Sequence, residues 1–363
     1  MTALTTPARR GEDDARLRPV PWRRMAGVTW RQHRIALASV AVLLGGLAAW
    51  LWTIGTPLHN AYAAAVACHP ASSAACQNLV VAFNISADNH FMGSKGPGGV
   101  LLQLVPALIG AFVGAPVLAR ELETGTFRFA WTQGFGRCRW ALAKLAGLAV
   151  VLAAATAAFG ALVSWYYQPE FATASQVPGL YQDSPLVTLF SLREITFPAW
   201  TLAAFSIAAL AGMLIRRVVP AIIAALAIYA GLAIAAAGFL RDHYLAPLVT
   251  SNPNLPGTAW IIGQWWTKDG RFAFAGNPPL TLVNRFCNFP QSPGGKGGGP
   301  GGGPSSSVNP FAQCLAPHGY TMWTGYQPAS RFWPFQWIEG GWLLALSVLL
   351  IAATIWLVHR RAA

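Results

Sequence analysis

Residues able to do chemistry are sparse in this chain, and most fail the spacing tests for a catalytic or metal site. The seven histidines are scattered, with no HExxH pair and no other metal-ligand spacing. GGKGGG at Gly294–Gly299 has glycines and a lysine, but no Ser or Thr follows the lysine and no strand and helix flank it, so it is not a phosphate-binding loop. Asp88, His90, Glu170 and Asp183 lie on one side of the expected topology and would make an acid, base or metal cluster only if folding gathers them; no Ser, His and Asp set can be assembled. One stretch does concentrate charge. Only 10% of the chain is charged, yet Arg120, Glu121, Glu123, Arg128, Arg137, Arg139 and Lys144 crowd into LARELETGTFRFAWTQGFGRCRWALAK, between Leu118 and Lys144.

The elements on either side of that stretch are apolar runs. The chain has 363 residues, 54% of them hydrophobic, with a mean hydropathy of +0.43, too apolar for a soluble domain of this size. A bilayer core about 30 Å thick calls for roughly 20 apolar residues in a helix, the element that satisfies its own backbone. Six runs qualify: Ile35–Ile54, Val100–Leu118, Ala141–Trp165, Ile195–Ile215, Val218–Leu240 and Gly340–Val358. The weakest is Ile195–Ile215, which carries Pro198 and polar residues near its start. The fold class expected is an all-α integral membrane protein with six transmembrane helices. With the N-terminus inside, the inner segments hold 17 of the 25 Lys and Arg, so both termini are expected in the cytoplasm of a plasma-membrane protein. The net charge of +13 then reflects topology, and with no basic soluble domain there is no call for nucleic acid. The first run follows a basic stretch and reads as a retained signal-anchor.

The chain divides into a cytoplasmic tail and helix (1–34), spans one to five (35–240) with an inner loop at 119–140, an outer segment (241–339), and span six with a short tail (340–363). In Pro21–Arg34, Trp22, Met25, Ala26 and Thr29 share one helical side and Arg24, Arg31 and Arg34 lie broadly opposite. That pattern predicts an amphipathic helix along the inner membrane surface, or simply a basic flank to span one. The long outer loop before the last helix contains PGGKGGGPGGGPSSS, a flexible tract, among many aromatics suited to interface anchoring or to a small cap. Cys68 and Cys76 fall in the first outer loop, Cys287 and Cys314 in the last, and Cys138 inside. Pairings Cys68–Cys76 and Cys287–Cys314 are favoured because each closes within one loop, with unpaired thiols the alternative. GAFVG at Gly110–Gly114 permits close helix contact, although small residues are so common in these spans that generic packing is the better expectation.

Simple spanning does not require two glutamates, a TGT turn and an apolar patch of Phe127, Phe129, Ala130 and Trp131 in the inner loop; such a patch suits docking into a groove on a cytoplasmic partner. The stretch ARELETGTFRFAWTQGFGRCRWALAKLAG resembles the inner loop of type-2 ATP-binding-cassette (ABC-2) permease subunits, which show an acidic end to span two, Gly-Thr, a short helical segment and a basic entry to span three. The six-span layout, the N-terminal helix and both termini inside extend the resemblance over nearly the whole chain, while the long first and last outer loops depart from it. The resemblance implies that Glu121 and Glu123, with Arg120 beside them at the end of span two, form the acidic end that meets the ATPase, Gly125 and Thr126 the turn, Phe127 to Gln133 (with Phe129 and Trp131) the coupling segment, and Arg137, Arg139 and Lys144 the basic entry. It further implies a transport subunit that is not an enzyme and has no cofactor of its own, with ATP and Mg on a separate ABC ATPase subunit. A second permease copy or paralogue would complete it, and the cargo would be hydrophobic or amphipathic. The rival expectations are a membrane-embedded enzyme acting on a lipid or isoprenoid, and a membrane sensor or scaffold.

Overall fold

The structure, a computed structural model, describes residues 22–87, 97–125, 137–172, 180, 182–187, 189–252, 255–287 and 310–361. Its main helices are α1 (Trp22–Ala67), α2 (Ala74–Ala87), α3 (Pro97–Thr124), α4 (Arg137–Phe171), α5 (Thr196–Ile215), α6 (Val218–Ala235) and, after the sheet described below, α9 (Phe332–Arg361). Six helices are long and apolar enough to cross a membrane: α1, α3, α4, α5, α6 with its continuation to His243, and α9. The six expected runs therefore all appear, five of them inside longer helices and the run Ile195–Ile215 matching its helix to within one residue. Hydropathy marks only the stretch that lipid must cover, whereas the helix continues until a breaker stops it.

α1 shows the difference most clearly. Its 46 residues extend about 70 Å at ~1.5 Å per residue, more than twice the bilayer core. From Trp22 the chain runs as helix without a break into span one, so the segment Trp22–Arg34 is a helical extension of that span. No proline separates Met25 from Ile35, so nothing ends the helix there. At the other end α1 stops at a turn closed by the Cys68–Cys76 disulfide, with Cα atoms 5.5 Å apart. α2 then folds back on α1, burying Phe83 completely and setting its ring 5.7 Å from Tyr62.

α5 is the centre of the bundle, packed against α3, α4, α6 and α9. Trp200, Phe197 and Phe205 on it are all but completely buried. The contact with α3 is unusually close. A Cβ on Gly114 would lie 2.4 Å from the Phe205 carbonyl oxygen, and one on Gly110 2.6 Å from the Phe205 nitrogen. From the other side, a Cβ on Gly212 would lie 2.7 Å from the Ala115 carbonyl. The GAFVG pair therefore sets backbone against backbone, where generic packing was the better expectation. Gly114→Ala should destabilise the bundle by about 1–3 kcal/mol through overpacking. Gly45→Ala, which meets nothing within 4 Å, should be near neutral. Thermal unfolding of the two variants in detergent checks this.

Connections alternate between two ends of the bundle. α3 ends at Gly125, whose φ of +73° supplies the left-handed turn glycine favours. α5 and α6 are joined by Arg216 and Arg217 alone, with the Arg216 N–H bonded to the Gly212 carbonyl at 3.0 Å. These turns lie at what we call the basic end. At the opposite, sheet end, α6 loosens into a π-helical turn at Ala236–Leu240 and a 3₁₀ turn at Arg241–His243.

The long segment before α9 folds into more than a loop. β1 (Leu248–Thr250), β2 (Trp260–Lys268), β3 (Arg271–Ala275) and β4 (Tyr320–Gln327) make an antiparallel sheet in the order β1-β4-β2-β3. Trp266, Phe274 and Met322 on one face pack with Val283 of α7 (Leu280–Phe286) and Leu315 of α8 (Pro310–Leu315). The Cys287–Cys314 disulfide, Cα atoms 5.4 Å apart, joins these two helices. The Gly/Pro/Ser tract lies outside the described residues. Trp260 against Phe335 and the Gln327 amide on the Leu245 carbonyl at 2.7 Å fix the sheet to the bundle.

Candidate functional site

The charged stretch sits at the basic end, where α3 finishes and α4 begins. Arg120, Glu121 and Glu123 occupy the last turns of α3, and Lys144 lies two turns inside α4. Lys144 was expected among the partner-binding residues. It is instead 2% exposed, ion-paired with Glu121, and stacked over the Trp140 ring with Nζ 4.9 Å from its centroid. The sequence shows a lysine three residues into the apolar run Ala141–Trp165; it does not show that a glutamate from the preceding span meets it. Among the described residues Glu121 Oε2 is buried without a partner, and so is Nε2 of His33 on α1, close to the positive Lys144 and Arg120. Glu123 is exposed and accepts the Val218 N–H at 3.4 Å, placing a carboxylate at the N-terminus of α6. Arg120, Arg216 and Arg217 point outward around this knot, and Arg139 is half-buried. Thr126, Phe127, Phe129 and Trp131 lie outside the described residues, as does the side chain of Arg137.

A second polar cluster occupies the sheet end. Glu339 of α9 is fully buried and receives four donors: Arg241 Nε to Oε2 at 3.0 Å, Arg241 Nη2 to Oε1 at 2.9 Å, Trp200 Nε1 to Oε1 at 2.9 Å, and the Tyr244 hydroxyl to Oε2 at 3.2 Å. Burial and Glu339 together hold the Tyr244 hydroxyl above its ordinary range. Nearby, Arg193 lies between the rings of Phe171 and Phe332, 4.2 and 4.4 Å from their centroids, and donates to the Pro185 carbonyl at 3.3 Å. Burial pulls its guanidinium down to about 10, opposed by Glu194 and Tyr167. Of the four groups that might have made a catalytic cluster, Asp88 and His90 lie outside the described residues. Glu170 and Asp183 do come together, the Asp183 N–H donating to the Glu170 carbonyl at 3.2 Å. Among the described residues no three His, Cys, Asp or Glu gather as a metal-holding group.

The profile of a family described as ABC-2 membrane transporter related matches residues 41–241, more than half of the chain. The chain belongs to that family. No curated protein and no solved structure matches it. The ABC-2-related segment takes in most of α1 and all of α3 to α6, including the ionic knot, the α3–α5 glycine contact and the π-helical turn. It stops at Arg241, so the sheet and α9 lie beyond it. Membership and the six helices make this a multi-pass membrane protein with a permease-like role. Sequence reading missed Glu339 and Arg241 for a simple reason. Its spans stop at Leu240 and begin at Gly340, one residue short of each, and so read as nearly charge-free. The signal was a lone Glu and a lone Arg at the edges of two apolar runs, a pattern that calls for a partner once both are inside the bundle.

Proposed function

We propose that this chain is the permease subunit of an ABC transporter that exports a hydrophobic or amphipathic compound. ATP and Mg are handled by a separate cytoplasmic ABC ATPase subunit. Six spans are half of the set such transporters use, so a second permease copy or a paralogue completes the pathway. The observation that carries the reading is the family match across five of the six spans, which contains the charged turn between α3 and α4. Two features support it. The excess of Lys and Arg at the basic end favours a cytoplasmic position for that end and for both termini, in the plasma membrane. A wholly apolar groove of about 570 Å³ between α5, α6 and α9, lined by Ile207, Leu214, Ile228 and Leu350 among others, gives an apolar solute a surface to follow.

In this reading Arg120, Glu123, Arg139 and the 126–136 segment meet the ATPase, while Glu121 and Lys144 transmit the push by joining α3 rigidly to α4. The test is affinity purification of the tagged chain from its native membranes. An ABC ATPase should co-purify, and ATP hydrolysis should belong to the complex, with none from the chain alone. Recovery of the chain as a homogeneous species without an ATPase, together with enzymatic turnover of a membrane lipid by that species, would replace the proposal with the enzyme reading.

A further inference from the structure

At the sheet end a cavity of about 240 Å³ opens between α3, α5, α6 and the 186–191 turn. Gln103, Ser191, Tyr229 and Arg241 give it polar walls, and Trp200 and Trp260 aromatic ones. We propose that this cavity binds the phosphate or carboxylate headgroup of a membrane amphiphile whose tail lies in the bilayer.

The charge balance points to an anion. Among the described residues Arg241 is the one charged residue lining the cavity, and no acid lines it. Glu339 stands behind, both its oxygens already occupied by four donors. Those contacts use Nε and Nη2 of Arg241 and leave Nη1 without a partner among the described residues. The ring of Phe190, 4.5 Å from the guanidinium carbon, supports the group from one face. The Tyr229 hydroxyl, 7% exposed at the residue level, likewise makes no hydrogen bond among the described residues. Two donors that have no protein acceptor and open on one cavity offer hydrogen bonds to whatever enters it, and the oxygens of an anion accept both. The π-helical turn at Ala236–Leu240 brings Arg241 to this wall, a local irregularity often found at functional sites.

Size and depth point to a headgroup with its tail outside. The space is that of on the order of eight water molecules, enough for a headgroup and too small for a lipid. Arg241 lies two residues from the end of its span, at the depth of the bilayer interface. Leu104 on α3 and Ile234 on α6, next in sequence to lining residues, are 50% and 68% exposed, an apolar flank on which an acyl chain can rest.

The test uses the full chain in dodecyl maltoside and radiolabelled dodecyl phosphate. Binding should saturate. Tyr229→Phe and Gln103→Leu should each weaken it by about tenfold while unfolding at the wild-type temperature, since neither side chain has a hydrogen bond to lose among the described residues. Dodecyltrimethylammonium, with the same tail and the opposite charge, should not compete. Wild-type affinity in both variants, or equal competition by the cationic amphiphile, would overturn the proposal. Competition by inorganic phosphate at the same concentration would assign the site to a free anion and overturn the amphiphile. The binding requires no ATPase, so its failure leaves the permease reading standing, and failure of an ATPase to co-purify leaves this site standing.

Discussion

Glu339→Ala should destabilise the chain by about 3–5 kcal/mol, seen as a large fall in the unfolding temperature in detergent or in nanodiscs. The glutamate is fully buried and accepts from Arg241, Trp200 and Tyr244, so its removal leaves the buried Arg241 guanidinium with no counter-charge. It also releases α9 from α5 and from the end of α6 at once, because each supplies one of those donors. The expected rescue distinguishes this from a simple cavity effect. Arg241→Met with Glu339→Met removes both charges, and replacing a buried pair by apolar side chains is often neutral. The double variant should therefore recover most of the loss. A Glu339→Ala protein that unfolds at the wild-type temperature would remove the pair from the stability of the bundle.

Hydropathy made the six spans legible because lipid imposes a length and a polarity that few other environments do. It made their ends illegible. Trp22–Arg34 and Glu339 belong to helices whose apolar stretches begin later, and nothing in a hydropathy average reports where hydrogen-bonded turns stop. α5 is the least apolar of the six spans, as expected, and yet the most buried. Thr196, Thr201 and Ser206 weaken it as an isolated span, yet each hydroxyl donates to a backbone carbonyl, Phe190, Phe197 and Ala203 respectively, at 2.7–3.0 Å. The Thr196 N–H also meets the Gln336 side chain at 3.0 Å. Satisfied in this way, polar side chains are no obstacle to the most buried position in the bundle. The sheet left a readable sign. WIIGQWWTK and RFAFA are rich in aromatics, with β-branched residues in the first, and are separated by Asp269–Gly270, a pair both of whose φ values are positive, as a tight hairpin turn requires. The glycine tract nearby drew the reading toward a loop. The cysteine pairs were legible because each lies within one connection, where chain closure is easy.

Phe127→Ala, Phe129→Ala and Trp131→Ala combined should weaken association with the ATPase by roughly a hundredfold and abolish export, while the protein still inserts and unfolds as the wild type does. The proposal makes these aromatics the part that docks; buried aromatic anchors carry most of the energy of such contacts. The more obvious variant, Glu121→Ala with Glu123→Ala, does not isolate docking. Glu121 is ion-paired with Lys144, which is 2% exposed, so its loss strands a buried lysine and loosens α3 from α4. Glu123 faces the N-terminus of α6, so its loss weakens a second junction. Loss of export in that double variant would follow from either cause. A cycle separates them: Glu121→Met with Lys144→Met should restore the unfolding temperature lost in Glu121→Met alone. Measuring ATP hydrolysis by the complex in the same variants then shows whether the buried pair also transmits motion. Full export by the triple aromatic variant would remove the 126–136 segment from the coupling role, whatever the pair beneath it does.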